Sequence, residues 1–255
     1  MESFLQDLRY ALRVLRKNRA LTFVALISIA LGLGANTAVF SAVNAVLLRT
    51  LPYASVNRLV LVWAKAQSHG ALSDRDQVSA TDVADFRAQN TVFEDVATFT
   101  GWVPILSGYG EAERIPAIQV GDGFFRVLNG KPMLGRTFVP EEQQDGKDFV
   151  IVLGYGLWQR KFGSDPKIVG KTVSLNSRPY TIVGVMPPGF RSLPPSLVSP
   201  EGQFYRPVAE AYNNTERDSR HLRAIARLKP VVTLQNAQSE MSLIAGRMEK
   251  QYPQT

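Results

Sequence analysis

One long apolar run dominates the hydropathy pattern of this 255-residue chain. Residues 20–48 contain no charged side chain, and roughly 20 apolar residues in a helix are enough to cross the hydrocarbon core of a bilayer. The first part of the run, about Leu21–Phe40, is dense in Leu, Ile, Val and Phe. We therefore predict a transmembrane helix together with its outward extension over residues 20–48.

Two other interpretations of this run fit its pattern less well. A helix buried in a soluble core is usually shorter and amphipathic, whereas this run is apolar on all sides for about five turns. A cleavable signal peptide has a shorter apolar region followed by an Ala-x-Ala-like site. No two alanines in the run lie two positions apart, so a retained helix fits the pattern better, and a signal peptide stays as the alternative.

The charges on either side of the run predict its orientation. Residues 1–19 carry five basic side chains, whereas residues 49–68 carry three. Basic segments beside a membrane span tend to stay in the cytoplasm. We therefore expect a single-pass protein of the inner (plasma) membrane, with a cytoplasmic N-terminus and with residues 49–255 periplasmic or extracytoplasmic.

The basic segment before the run, residues 1–19, has a pattern of its own. Its apolar side chains recur at helical spacing, and most of its basic side chains fall on the opposite side. Such a helix can lie in the headgroup layer with its cationic face toward anionic lipid. We predict a basic amphipathic cytoplasmic leader that contacts membrane lipid, and an unstructured basic tail is the alternative.

Beyond residue 49, short β-prone runs alternate with a few segments of helical periodicity. Strands are predicted at Leu59–Ala64, Phe93–Ser107, Ile115–Val120, Phe149–Leu153 and His221–Leu228. A hairpin is predicted from Thr172–Leu175 and Tyr180–Met186, joined by Asn176–Pro179. One helix is predicted to begin at about residue 80, with Ser79 or Thr81 as its cap. Further helices are predicted at Gly123–Leu128, Tyr155–Phe162 and Leu234–Lys250. The polar stretch Gly70–Gln77 is predicted to be a loop. This succession predicts an α+β external domain built on mixed sheets.

The last predicted helix has two notable features. Thr233 is predicted to cap it, and one face collects apolar residues, namely Leu234, Ala237, Met241, Ile244, Ala245 and Met248. The helix ends near Gln251, four residues before the last residue, so a strand–helix unit stops without a return strand. We expect the sequence to be a truncated part of a longer protein.

Composition excludes several classes of function. There is no cysteine, which excludes disulfides, thiolate metal sites and cysteine catalysis, and two histidines cannot form a three-histidine metal site. The net charge is +7, of which the short leader carries +3, and the remaining 236 residues carry 24 basic and 20 acidic side chains, a margin of +4. That margin is too small for a nucleic-acid footprint.

The sequence contains no complete catalytic motif. The chain lacks a Gly-x-Ser-x-Gly elbow, a phosphate-binding loop and a His-Glu-x-x-His metal motif. The remaining candidates are His221, the pair Asp82 and Asp85, and the cluster Asp74–Asp76. Each has a simpler interpretation. His221 is more simply a structural histidine, Asp82 and Asp85 are carboxylates at a helix start, and Asp74–Asp76 is a solvated loop. We predict that the chain is not an enzyme and has no catalytic, cofactor-binding or metal site.

Several segments resemble one transporter family. They are Leu31–Ser41, Leu47–Tyr53, Phe124–Leu128, Leu134–Phe138, Gly156–Gly163, Val169–Thr172, Tyr180–Phe190, Arg227–Pro230 and Ala237–Gln238. Taken in order, these segments resemble the first membrane helix and the external core domain of MacB/FtsX-type ABC transporter permeases, above all the duplicated orphan permeases. Two small departures are Leu153-Gly154 and Asn176-Ser177, where the family more often has serine and glycine.

The resemblance implies a fold and a function. Family members have one helix, a large periplasmic domain and three further helices, and they work as dimers with an ABC ATPase. The resemblance implies a middle subdomain at about residues 110–200, with residues 55–109 and 201–255 forming the other. It also implies that the chain is the membrane-anchored periplasmic core domain of an ABC-type efflux or mechanotransmission permease. On this interpretation the chain is a fragment without the three later helices. The implied partners of the full-length protein are an ABC ATPase subunit and a second permease chain. The alternative is a membrane-anchored extracytoplasmic binding module or enzyme unrelated to transport.

Overall fold

The structure is a computed structural model that divides into two compact units, Met1–Leu51 and Pro52–Thr255. It describes residues 10, 13, 16–43, 56–68, 71–190, 193, 197, 202–209, 217 and 219–253. Most of the predicted leader, residues 44–48 of the apolar run, and His69 lie outside the described residues.

The first unit contains the helix α1, Arg19–Val43, which is 25 residues long. Many of its large apolar side chains are exposed, among them Phe23, Leu31 and Phe40. The hydroxyls of Ser28 and Thr37 donate to the carbonyl oxygens four residues earlier, at 2.9 and 2.8 Å, so these polar groups are satisfied within the helix itself. Within the described part of the chain, no helix combines the length and the apolar composition that a membrane crossing requires.

Among the described residues, the second unit contains thirteen strands and four α-helices. The strands are β1 Leu59–Val62, β2 Ala64–Ser68, β3 Ala71–Asp76, β4 Phe93–Trp102, β5 Ile105–Ser107, β6 Glu113–Arg114, β7 Ala117–Val120, β8 Leu134–Gly135, β9 Val150–Leu153, β10 Thr172–Leu175, β11 Arg178–Val185, β12 Phe204–Pro207 and β13 Arg223–Leu228. The helices are α2 Ala80–Gln89, α3 Phe124–Val127, α4 Tyr155–Phe162 and α5 Leu234–Gln251, and 3-10 turns lie at Val56–Arg58 and Pro140–Gln143.

Eleven of these strands form one continuous mixed sheet. Their order is β1-β13-β4-β7-β12-β9-β11-β10-β5-β6, and β8 pairs with β11 beside this path. The pairs β9–β11 and β7–β12 are parallel, and the other pairs are antiparallel. The strands β2 and β3 form a separate two-stranded sheet. The predicted α+β fold with mixed sheets is confirmed.

Buried apolar side chains form clusters against two groups of strands of this sheet. The first cluster packs α2 and α5 against β13 and β4, and it contains Val83, Phe86, Val96, Leu222, Ile244 and Met248. The second cluster packs α4 against β9, β10 and β11, and it contains Trp158, Phe162, Ile151, Leu153, Val173 and Ile182. The helices therefore cover the sheet by burying one apolar stripe each.

Elements with strong local signals form as predicted. The helix α4 has the predicted bounds, and α5 begins at Leu234 after Thr233, whose side chain accepts the Asn236 N–H. The hairpin β10–β11 turns at Asn176 and Ser177, both with positive φ (48° and 65°), as a tight primed turn requires.

Two expectations are wrong. The stretch 71–76, within the predicted loop, is β3, which pairs with β2 from Ala64↔Asp76 to Ser68↔Ala71, because pairing with an adjacent strand satisfies its backbone. In α5, Leu234 and Ala245 are exposed. The buried face of that helix consists of Ala237, Ile244 and Met248 alone, with Met241 half-buried against them.

Candidate functional site

The carboxylates proposed from the sequence lie in the first turns of α2. Ser79 is the N-cap residue: its hydroxyl accepts the Asp82 N–H at 3.1 Å, and the Asp82 carboxylate accepts the Ser79 N–H at 3.3 Å. This reciprocal capping box satisfies two backbone donors that the helix leaves free. The local sequence thus places Asp82 at a helix start, with Asp85 one turn further on.

Long-range contacts bring two arginines to these carboxylates. The Arg217 guanidinium donates to Asp85 Oδ2 at 2.6 Å and to Asp82 Oδ1 at 3.3 Å. Arg220 Nε lies 3.9 Å from Asp82 Oδ2. On its other side, the Arg217 guanidinium lies 3.6 Å from the ring centroid of Tyr252, just beyond α5, in a cation–π geometry. We call these five residues the Arg217 cluster.

The electrostatics of the Arg217 cluster point to a structural role. Burial lowers the pKa of the Arg217 guanidinium. The hydrogen bond and the charge of Asp85 contribute to an opposing upward shift that is larger, so the net pKa shift is upward. Arg217 therefore stays charged and holds both carboxylates in ion pairs. A general acid and base need carboxylates that can exchange a proton with a substrate. In the Arg217 cluster, both carboxylates are hydrogen-bonded to an arginine.

The other sequence candidates are His221 and the carboxylates of Asp74 and Asp76. His221 is half-buried, and its Nδ1 is 3.0 Å from the Ser219 carbonyl oxygen and 3.2 Å from the Ser219 hydroxyl. Asp74 and Asp76 lie in β3. Among the described residues, no three His, Asp or Glu side chains come together where they could hold a metal ion.

Sequence reasoning missed a buried ion pair near the centre of the sheet. Arg206 of β12 is 4% exposed and contacts the carboxylate of Asp148, which is 2% exposed. The Arg206 guanidinium also donates to Tyr180 Oη at 3.1 Å and lies 4.9 Å from the ring centroid of Trp102. Its one signal in the sequence is a charged residue within the otherwise apolar stretch Phe204–Val208, because Arg is rarely buried unless it is paired.

The second unit also has an open groove of about 520 Å³ over the outer face of β5 and β10. Among its lining residues are Ser107, Tyr109, Thr172 and Ser174. Sequence reasoning did not identify this groove, because it depends on pairing between β5 and β10, which lie more than 60 positions apart.

Comparisons with known proteins agree on one family and fold. The family model of the MacB-like periplasmic core domain matches residues 22–244. No curated protein matches the sequence at a significant level.

Three solved structures are similar to this chain. The periplasmic region of MacB from Actinobacillus actinomycetemcomitans is 17% identical with a TM-score of 0.55, over 78% of this chain and 94% of that one. The extracellular domain of the noncanonic ABC-type transporter YknZ from Gram-positive bacteria is 14% identical with a TM-score of 0.54, over 77% and 96%. A domain assigned to a permease protein from Porphyromonas gingivalis is 17% identical with a TM-score of 0.56, over 78% and 84%. At these identities the likeness establishes the fold.

Proposed function

This chain belongs to the MacB-like periplasmic core domain family, and from that premise we propose that it is the membrane-anchored periplasmic core domain of an ABC-type efflux or mechanotransmission permease. The family places the chain in an ABC transporter context. In the proposed role the domain catalyses no reaction. It moves as a body and passes a displacement that originates in the ATPase across the membrane.

The observation that carries this proposal is the continuity of the eleven-stranded sheet. The sheet passes without a break from the strands under α2 and α5 to the strands under α4. At its centre, β12 joins β7 to β9, and the buried Arg206–Asp148 ion pair lies at this position. A continuous hydrogen-bonded sheet with a paired charge at its centre resists bending between its ends, which is the property that a lever needs.

We also propose two subdomains within this body, a middle one at about residues 110–200 and one formed by residues 55–109 and 201–255. The packing of α2 and α5 in one buried cluster and of α4 in another supports this division. Leu106 and Phe204, however, are members of the second cluster, so we expect the middle subdomain to include β5 and β12 as well.

We propose that the apolar run of residues 20–48, which includes α1, anchors the domain in the inner membrane, with the leader in the cytoplasm and residues 49–255 outside. Support comes from the charge-free sequence of residues 20–48, from the basic leader before it and from the exposed apolar side chains of α1. Exposed Leu, Ile and Phe side chains over a full helix are costly in water and favourable in lipid.

Membrane topology can be tested directly because the chain has no cysteine. Single cysteines at Asn18, before α1, and at Ser239, on α5, form a matched pair of exposed positions. In intact spheroplasts, a membrane-impermeant maleimide should label Ser239→Cys and should label Asn18→Cys only after lysis. Equal labelling of both positions before lysis, or release of the chain from membranes by alkaline carbonate, would contradict the anchor.

The proposed partners are an ABC ATPase subunit and a second permease chain in the full-length context. A photo-crosslinking residue at Arg13 of the leader should capture an ATPase in native membranes. The same residue at Leu243, an exposed position on α5, should capture a permease chain or nothing, and no ATPase. If neither position captures a transporter component, while both cross-link to unrelated proteins, the transport role is wrong.

A further inference from the structure

The short helix α3 ends in a closed C-terminal cap. The Gly130 N–H donates to the Phe125 carbonyl oxygen at 2.7 Å, and the Asn129 N–H donates to the Arg126 carbonyl oxygen at 3.0 Å. This pair of bonds is the Schellman arrangement, in which a residue just after the helix adopts the left-handed conformation. Asn129 is that residue, with a φ of +52°, and asparagine tolerates this region better than most L-residues do.

The next position in this cap has no room for a side chain. A Cβ atom at Gly130 would lie 2.6 Å from Phe190 Cε2 and 3.2 Å from Met186 Cε, whereas non-bonded carbon atoms pack best at about 3.5–4.0 Å. The two positions are therefore constrained for different reasons, a left-handed backbone at Asn129 and the close approach of an aromatic ring at Gly130. Together these demands favour an Asn-Gly dipeptide.

An Asn-Gly sequence is chemically reactive. The amide nitrogen of the glycine can lose its proton and attack the side-chain carbonyl carbon of the asparagine, because glycine has no side chain to hinder the approach. At Asn129, the bond from Gly130 N to Cγ forms while the bond from Cγ to Nδ2 breaks, and ammonia leaves. Water then opens the succinimide ring at either of its carbonyl carbons and yields aspartate or isoaspartate. The net reaction consumes one water molecule and releases one ammonia molecule.

The closed cap opposes this attack. The proton that Gly130 N has to lose is the one that it donates to the Phe125 carbonyl oxygen, so this hydrogen bond has to break first. The Phe190 ring also limits how far Gly130 can move. The Asn129 side chain is exposed to solvent, so water reaches it. The opening of the cap therefore limits the rate, and local opening costs less free energy than unfolding of the whole domain.

We propose that Asn129 is a deamidation site whose reaction is gated by opening of the α3 cap. Isoaspartate adds a methylene group to the backbone at this position, which moves the Gly130 N–H away from the Phe125 carbonyl oxygen and prevents the cap from closing again. Aspartate tolerates the left-handed region and leaves the cap intact. Isoaspartate therefore marks the chains in which the cap has opened. This inference is independent of the proposed transport role.

The experiment incubates the full chain in detergent at mildly alkaline pH, with and without enough urea to unfold it, and peptide mass spectrometry measures the products at each asparagine. In the unfolded chain we expect Asn129 to react faster than Asn176, because the side chain of Ser177 hinders attack by its own nitrogen. Folding should slow the reaction at Asn129 by at least about tenfold. Asn129→Asp carries the aspartate product from the start, and it should melt at the same temperature as the unmodified chain.

A pair of variants separates opening of the cap from global unfolding. Phe190→Ala removes the ring beside Gly130, and we expect it to speed the reaction at Asn129 in the folded chain several-fold; Phe190→Leu replaces it if the chain does not fold. The matched control is Ile244→Ala, which removes a buried side chain of the first cluster and should leave that rate unchanged. Equal rates at Asn129 in the folded and unfolded chains, no reaction there in the unfolded chain, or the same effect of both variants would overturn the inference.

Discussion

Val231, just before α5, has an unfavourable backbone conformation without any packing in return. Its φ is +65° and its side chain is fully exposed. The left-handed region costs an L-residue roughly 1–2 kcal/mol, and a β-branched side chain is especially unsuited to it. The turn that leads from β13 into α5 requires this conformation, whichever residue occupies the position.

We therefore predict that Val231→Asn raises the free energy of unfolding of the detergent-solubilised chain by about 1 kcal/mol, because Asn tolerates the left-handed region. Chemical denaturation measures the change. The control is Val232→Asn, one position on, where the side chain packs against the first cluster and the same substitution should destabilise. A loss of stability in Val231→Asn would show that the exposed valine makes a contribution that its surroundings do not explain.

Asp122 links stability to pH at the residue scale. Burial raises the pKa of Asp122. The hydrogen bonds and the charge of Arg126 contribute to an opposing downward shift that is larger, so the pKa of Asp122 lies below its usual range. Arg126 Nη2 donates to Asp122 Oδ2 at 2.9 Å, and its Nε donates to Asp95 Oδ2 at 2.9 Å. A carboxylate with a lowered folded-state pKa stabilises the fold above its unfolded pKa of about 3.9, and the contribution is lost as the pH falls through the folded value.

For Arg126→Met we predict a loss of up to about 1 kcal/mol at pH 7, a small effect because the pair is partly exposed to solvent. The difference from the unmodified chain should shrink as the pH falls from about 4 through the lowered folded-state pKa of Asp122, since Asp122 then becomes protonated in both chains. Denaturation curves at a series of pH values measure this. Arg126→Lys should keep most of the pH dependence, and a difference that is constant with pH would contradict the assignment.

At the scale of elements, α5 shows how one helix divides into a packed side and an exposed side. Ile244 is completely buried in the first cluster, whereas its neighbour Leu243 is 69% exposed. Removing a buried aliphatic side chain costs its transfer free energy and leaves a cavity, about 2–5 kcal/mol in all. An exposed leucine loses little when it is truncated.

We predict that Ile244→Ala lowers the free energy of unfolding by about 2–5 kcal/mol, and that Leu243→Ala changes it by less than about 0.5 kcal/mol. Urea denaturation of both variants measures the pair side by side. Similar losses in the two variants would mean that Leu243 is covered in the folded protein, for example by a partner chain.

At the scale of the whole molecule, the buried pair Arg206–Asp148 lies where strands from the two ends of the sheet meet. Removing one member leaves an uncompensated buried charge, which typically costs about 3–5 kcal/mol, whereas replacing both members by apolar side chains is often nearly neutral. The Trp102 ring against Arg206 makes the region visible to fluorescence.

We predict that Arg206→Met and Asp148→Leu each destabilise by about 3–5 kcal/mol, and that the double variant loses less than either single variant. Denaturation followed by tryptophan fluorescence gives the three values. Losses in the double variant that equal the sum of the single losses would show that the two side chains do not act as a pair.

Local signals in the sequence were sufficient to predict much of this fold. The α4 bounds, the Thr233 cap, the Ser79 cap and the hairpin turn at Asn176 follow from interactions among residues within about four positions. The same local evidence misplaced residues 71–76, because a polar stretch becomes a strand only when a partner strand satisfies its backbone.

The sequence by itself therefore determined the helices α2 to α5, the longer apolar strands, the apolar run and the family, since each of these rests on spacing or on a contiguous motif. Only the tertiary structure decided which elements meet. It places β12 between β7 and β9, joins Asp82 to Arg217 across 135 positions, and buries Arg206 beside Asp148. The physical reason is that long-range pairing depends on which helix faces and strand edges pack together. Periodicity along the chain shows that an element has an apolar face but does not show which other element covers it.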